Sequence, residues 1–242
     1  MSDPGMAVDI GAGGEVVESF AELGIDAFTT GRAAGSFGTA SDEPVKSVMA
    51  RWSALRTRVG GSRLATATQV HGANILMHEG EWRGWLRSDA ADGHLSPRRG
   101  TAMAVSVADC VPVFLAHPSG AAAVLHSGWR GTAARITEGA IHAFFSLGMP
   151  HSELYLHCGP AICGGCYEVG ADVHAQLTGR DTGKAEMVDL RALIADHARA
   201  MGVRHISLSA LCTRCDNDRF YSHRAGDAGR QLGVITAREA GV

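Results

Sequence analysis

The chain has 242 residues, 45% of them hydrophobic, and a formal charge of -3 with acids and bases intermixed. That length supports a dry core in one large domain or two small ones, and the mixed charge excludes the basic stripe of a nucleic-acid binder. No apolar run approaches the ~20 residues that span a bilayer, and Met1 to Met6 has neither the cationic nor the apolar region of a secretory signal, so a cytoplasmic protein is expected.

In chain order, residues 1–14 are Gly-rich and polar and read as a loose terminus. Residues 15–23 suggest a short helix ending at Gly24, then a strand over 25–30 and a small-residue loop over 31–36. Val45, Val48, Met49, Trp52 and Leu55 make a helical stripe, with Pro44 in its first turn and Gly60-Gly61 as its stop. Residues 63–77 read as two strand pieces broken at Gln69–Gly72. A long polar loop is expected over 79–100, then strands over 101–107, 111–116 and 121–126 and a helix over 131–147. A strand over 153–157 enters the loop 158–166, followed by helices over 169–177 and 190–201, with Asp189 capping the second and Gly202 stopping it. A strand over 204–211, a polar loop over 212–229 and a strand over 231–237 close the chain. There is no repeat, low-complexity tract or linker, so one α+β domain over 1–242 is the economical reading.

His71 in the strand break, Cys110 near one strand end and His126 at another arrive at comparable structural moments. Together they would form a His₂Cys set, which zinc accepts in catalytic form with a fourth position open. From spacing alone the alternative stands, because a lone His or Cys is more often packed or solvated. Gly128-Trp129-Arg130-Gly131 opens a helix, whose N–H groups favour an anion beside the Arg130 fork. The same turn could equally be a surface Arg with a packing Trp. Cys163/Cys166 and Cys212/Cys215 are two Cys-x-x-Cys pairs that could build a structural Cys₄ zinc site, although their separation far exceeds the ~15–20 residues of a zinc ribbon. Cys163 to Cys166 could also be a redox pair, but no thioredoxin-like βαβ frame surrounds it, and the plainer reading is incidental thiols in Gly-rich loops. The segment from Arg219 through His223 and Arg224 to Asp227 reads as either a cleft lining or a solvated loop.

At these residues the chain resembles the laccase-domain family, also called the polyphenol-oxidase-like or purine nucleoside phosphorylase family and linked in some bacteria to peptidoglycan editing. Five blocks carry the resemblance in family order across roughly 25–240. They are Thr68 to Gly72, Ala108 to Pro112, His126 to Gly131, Gly159 to Ile162 with Cys166 to Gly170, and Cys212-Thr213 with Phe220 to Arg230. The resemblance implies that His71, Cys110 and His126 bind one zinc. It also implies a mixed β-sandwich flanked by helices in α/β/β/α layers, similar to the catalytic domain of cytotoxic necrotising factor. Asp92 matches the family's Asp in the loop before the Ala-Asp-Cys strand. The family's N-terminal Thr-Arg-x-Gly-Gly stretch appears only as Thr29 to Ser36, with Arg32 shifted by a residue; its Tyr-Arg-Arg is His223 to Ala225 here, and Ser127 stands where Ala is usual.

The implied function is a zinc-dependent purine nucleoside phosphorylase that cleaves adenosine, inosine, guanosine and methylthioadenosine with phosphate, with adenosine deaminase activity beside it. Its partners would be small nucleosides and phosphate, not nucleic acid or a membrane. Cys110, His126, His71 and Asp92 are the candidate catalytic residues, with Asp92 or Glu168 as the acid–base group of a deamination. Arg130, Gly131, Arg224 and Gln69 are candidate substrate-binding residues. One alternative is a Cys110-dependent amide hydrolase in cell-wall precursor editing, with His126 or His71 as base. Another is a copper-dependent phenol oxidase, with Met103 as axial ligand, although the chain has none of the His-x-His pairs common in multicopper enzymes. The sequence leaves the oligomeric state open.

Overall fold

The computed structural model describes residues 9–38, 43–60 and 63–239. Its strands are β1 (Glu15–Val16), β2 (Ile25–Thr29), β3 (Arg63–Ala67), β4 (Ile75–Met77), β5 (Gly84–Ser88), β6 (Gly93–Ser96), β7 (Ala102–Val107), β8 (Val111–Ala116), β9 (Ala122–Ser127), β10 (Tyr155–Cys158), β11 (Glu168–Val169), β12 (Glu186–Met187), β13 (His205–Leu208) and β14 (Gln231–Ala237). The helices are α1 (Val45–Arg58), α2 (Trp129–Ala133), α3 (Ile136–Ser146), α4 (Ala171–Thr178) and α5 (Leu190–Ala200). Two six-stranded sheets, β1-β2-β14-β7-β3-β5 and β13-β10-β8-β9-β6-β4, carry the architecture, and β11-β12 is a separate ribbon.

The sheets face one another as layers because their central strands are apolar on both faces. Met103, Val105 and Val107 of β7 meet Phe114 and Ala116 of β8 and Val124 of β9 in the core between the sheets. The opposite face of the first sheet, with Ala102, Ala104, Leu232 and Val234, takes Val48, Trp52 and Leu55 of α1. The opposite face of the second, with Val113, Leu115 and Leu125, takes Ile141 and Phe144 of α3 and Ile194 and Ala198 of α5. The expected mixed sandwich in α/β/β/α layers is the fold observed.

Four local expectations need correction. Residues 1–8 and Gly61 lie outside the described residues, but 9–14 are tied down, with Ile10 buried beside Phe28 and Phe37. The presumed loop 79–100 contains β5 and β6, which pair with β3, β4 and β9. The single helix over 131–147 is two helices, because Arg135 turns left-handed at φ 63° and ends α2 after five residues. Residues 15–23 are a two-residue strand and a 3₁₀ turn that Gly24 closes at φ 65°. Among the described residues no helix is long and apolar enough to cross a membrane.

Candidate metal centre and its cavity

At one end of the sandwich the chain crosses from the first sheet to the second three times. The crossings β3→β4, β5→β6 and β7→β8 carry His71, Asp92 and Cys110 respectively. β9 runs antiparallel to β8 and returns His126 to the same end, opposite Pro112. Residues from four separate segments therefore meet because parallel strands of one sheet all empty into the other at one edge.

All three crossings need uncommon backbone, the β5→β6 one at Ala90 with φ 51°. His71 sits at φ 61° and Asp109 at φ 78°, a left-handed conformation that costs a non-glycine residue of order 1 kcal/mol or more. At His71 a buried carboxylate stabilises the turn. Asp92 Oδ2 accepts the Val70 and Gly72 amides at 3.1 and 2.7 Å, and Oδ1 accepts the His71 amide at 2.9 Å. Asp92 Oδ1 also accepts His126 Nδ1–H at 2.7 Å, which leaves His126 Nε2 for a ligand. At Asp109, Oδ1 accepts the Thr213 hydroxyl and Oδ2 the Arg224 amide, both at 2.6 Å. That turn is pinned to the C-terminal loop.

The donor atoms of His71, Cys110 and His126 lie within 4.8 Å of one another. Two ring nitrogens and a thiolate around one tetrahedral zinc would stand about 3.4–3.6 Å apart, so the set fits one ion after a small closure. The rings of His71 and His126 are edge-to-face at 4.8 Å. Burial works to raise the Cys110 thiol, but hydrogen bonds from His126 and His71 outweigh it and bring it down to about 6. Burial likewise opposes the charged form of His126, yet the Asp92 and Cys110 hydrogen bonds raise it to about 9. Despite its burial, Asp92 is held below the usual carboxylate range by His126 and the Gly72 and Val70 amides. A glycine at 128 is required: a Cβ there would stand 2.8 Å from Cys110 Sγ.

The set opens on a cavity of about 420 Å³, within the range of small-molecule sites. Its wall includes Trp52, Trp85, Arg87, His223 and Arg230 beside His71, Cys110 and His126. Trp52 and Trp85 stack at 4.6 Å, and Phe37 meets Trp52 edge-on at 5.4 Å.

The other expected residues fall in varied places. Gln69 lines the cavity, but its amide is engaged by the Ser106 backbone at 2.8 and 2.7 Å. Asp92, expected as an acid–base group, is fully buried behind His126 with both oxygens occupied, and the exposed Glu168 is not on the cavity wall. Arg130 and Arg224 also lie off that wall. Arg130 stacks on Trp129 and Arg224 on Tyr167, and the Tyr167 hydroxyl, raised first by burial, also feels the charges of Cys110, Arg224 and Arg130. The two arginines thus form a cationic flank around Tyr167, and the Arg224 amide ties that flank to Asp109, the residue before Cys110. Gly131 packs its Cα side against the Gly72 carbonyl, where a Cβ would stand at 3.1 Å. Arg32 stays off the cavity: it bonds Asn217 O, Phe220 O and Asp227 and clamps the C-terminal loop. Met103 is fully buried in the core between the sheets, away from the cavity wall. Sequence reading missed Arg87, Trp52 and Trp85 as cavity residues. The Trp spacing was visible, but the pairing of β5 with β3 that stacks them was not.

The second correction concerns the cysteines. Cys163, Cys166, Cys212 and Cys215, read as incidental thiols, come together with all four sulfurs within 4.8 Å of one another. β10 and β13 pair in parallel, Cys158 beside Leu208, so the loops leaving both strands run side by side. The long sequence separation is the length of the crossover through α4 and α5.

The family described as "Multi-copper polyphenol oxidoreductase laccase" matches residues 31–238. A purine nucleoside phosphorylase of Streptomyces griseus is 34% identical over 175 residues, 69% of this chain and 71% of that one. A purine nucleoside phosphorylase of Mycobacterium tuberculosis (strain H37Rv) is 34% identical over 204 residues, 80% of each chain. Among solved structures, YlmD from Geobacillus stearothermophilus superposes with a TM-score of 0.80 at 28% identity, covering 89% of this chain and 93% of that one. The hypothetical protein YfiH of Bacillus licheniformis shares the fold at a TM-score of 0.81 and 21% identity, over 93% and 96% of the two chains.

Proposed function

The chain belongs to the family described as multi-copper polyphenol oxidoreductase laccase, and from that premise we propose that it is a zinc-dependent purine nucleoside phosphorylase. The observation that carries the reading is the His71–Cys110–His126 set on the wall of a cavity that also offers stacked tryptophans and cationic side chains. The curated relatives named purine nucleoside phosphorylase support the same substrate class, with inosine, adenosine, guanosine and methylthioadenosine as candidates.

A zinc ion bound to these three residues supplies a Lewis acid for a substrate oxygen or an activated water. The chain's own residues supply the rest. Asp92 holds His126 in the tautomer that presents Nε2. The Trp52–Trp85 wall suits a planar base. In phosphorolysis the ribosyl C1′–N bond breaks with its electron pair leaving on the purine, and a phosphate oxygen bonds C1′. Displacement places phosphate away from the departing base, so with the base in the cavity we assign phosphate to the Arg130–Arg224 flank around Tyr167. His223 lines the cavity wall, and we assign to it the protonation of the departing purine. Deamination of adenosine would use the same set with His223, since Asp92 has no free oxygen.

Purified protein given inosine and phosphate should release hypoxanthine and ribose 1-phosphate. Cys110→Ala and His126→Ala should each abolish the release, and activity surviving both overturns the reading.

One observation favours a second reading. Cys110 and His126 together hold a thiolate against an imidazolium near neutral pH, as a Cys-dependent amide hydrolase requires. Full amidase activity after chelation, lost on alkylation by iodoacetamide, would select it. A copper phenol oxidase has less support, because Met103 is buried away from the set. Six free thiols suit a reducing compartment, and we place the activity in the cytoplasm.

A further inference from the structure

We propose that Cys163, Cys166, Cys212 and Cys215 form a second metal site, a structural Cys₄ zinc centre separate from the His₂Cys set. All four sulfurs are mutually within 4.8 Å. Four thiolates at about 2.3 Å from one tetrahedral zinc stand about 3.8 Å apart. The observed spacing therefore matches one ion and is too tight for an iron–sulfur cluster, whose sulfurs bracket several metal atoms.

The local backbone is built for thiolates. The amides of Cys163 and Cys215 both donate to Cys212 Sγ, at 3.3 and 3.4 Å. Each Cys-x-x-Cys turn thus directs an N–H at a sulfur that would carry charge. The segments are also fastened to each other without the sulfurs. Ala161 and Cys212 form a parallel β-bridge, the Thr213 amide donates to Ala161 O at 3.2 Å, and Asp216 accepts the Cys212 amide at 2.9 Å. The four-sulfur face is therefore prearranged rather than a chance approach of loops.

The competing chemistry is a disulfide. The Cys166 and Cys215 sulfurs stand 3.5 Å apart, well beyond a bond, and a Cys166–Cys215 bond would leave Cys163 and Cys212 as an unused pair of thiols. The site's consequence lies in the loop after Cys212. It carries Thr213, which bonds Asp109, then His223 on the cavity wall and Arg224 on the cationic flank. A metal at the four cysteines would fix that loop to the 163–166 turn and so hold the turn that presents Cys110.

The test uses the full chain under reducing conditions, with cobalt as the probe. In Cys110→Ser, which removes the only thiolate of the other set, titration should fill a site with intense thiolate-to-cobalt charge transfer and tetrahedral d–d bands. Adding Cys163→Ser and Cys215→Ser should abolish those bands. Independently, wild-type protein purified with zinc should carry one more equivalent than the Cys163→Ser/Cys215→Ser variant, and its four thiols should resist iodoacetamide until a chelator is added. If those variants do not fold, the cobalt spectrum of Cys110→Ser decides alone. Absence of thiolate charge transfer in Cys110→Ser overturns the proposal, as does recovery of a Cys166–Cys215 disulfide from the reduced, metal-supplemented chain. Neither outcome depends on nucleoside phosphorolysis.

Discussion

Asp92 Oδ1 accepts the His126 ring N–H at 2.7 Å and the His71 amide at 2.9 Å, so one buried oxygen orients one candidate ligand and holds the backbone of another. An Asp behind a ligating histidine is a positioning residue, and losing such a partner costs about 10–100-fold in metal affinity. Asp92→Asn should therefore weaken zinc by about that factor, read by competition with a chelator. Its amide would also face the Val70 and Gly72 N–H groups and lower the melting temperature. Unchanged zinc affinity would remove the orienting role.

Gly128 tests the same geometry from the other side. Its φ of -81° suits any residue, so a substitution there acts through space alone. In Gly128→Ala the new Cβ would stand 2.8 Å from Cys110 Sγ, closer than real contacts allow. The sulfur must move, and metal content and activity should both fall sharply while circular dichroism stays native. Gly131→Ala, whose Cβ would stand at 3.1 Å from the Gly72 carbonyl, should show a milder version of the same defect. Full metal content in Gly128→Ala would mean Cys110 is not a ligand.

The two arginine groups should separate kinetically. With phosphate on the Arg130–Arg224 flank, Arg130→Ala should raise the KM for phosphate about 10–100-fold, the worth of a lost charge-assisted hydrogen bond, with little change in the KM for inosine. Arg87→Ala, on the cavity wall, should show the converse. The reverse pattern would move phosphate into the cavity.

Much of this arrangement was legible in the chain. The apolar runs at 101–107, 111–116 and 121–126 announced strands, and the resemblance at His71, Cys110 and His126 announced their meeting. The rest depended on distant pairing. β6 has no β-branched residue and is a strand because β4 and β9 flank it; β5 is a half-exposed edge held by β3. The helix break at Arg135 replaced a long dipole behind Arg130 with a five-residue turn. No spacing rule joins Cys166 to Cys212, because the parallel pairing of β10 and β13 does so in space.

A buried histidine pair makes stability depend on pH. His94 is lowered from 6.5 to about 3, by burial first and then by the charge of His78, against the pull of Asp92. His78 is lowered by burial and meets His94 Nδ1 through Nε2 at 3.0 Å. A lowered His is neutral when folded and binds a proton when unfolded. Its stabilisation is therefore complete above about 6.5 and lost as pH falls toward 3. From pH 7 to pH 5, His94 alone should cost about 2 kcal/mol, read as the shift in urea unfolding of chelator-treated protein. His94→Gln should flatten most of that slope, and an unchanged slope would locate the titration elsewhere.

Metal binding itself should release protons in an order set by the site. With Cys110 at about 6 and His126 at about 9, the apo set at pH 7.5 already holds a thiolate but keeps a proton on each His126 nitrogen. The Nδ1 proton stays with Asp92, so zinc must displace the one on Nε2. Calorimetry in buffers of different ionisation enthalpy should then give about one proton released per zinc at this site, measured in a variant lacking Cys163 and Cys215. Affinity should weaken about tenfold per pH unit between 9 and 6, and more steeply below 6 as Cys110 also protonates. Release of no proton at pH 7.5 would mean that His126 is neutral before metal arrives, and that Asp92 orients the ring without charging it.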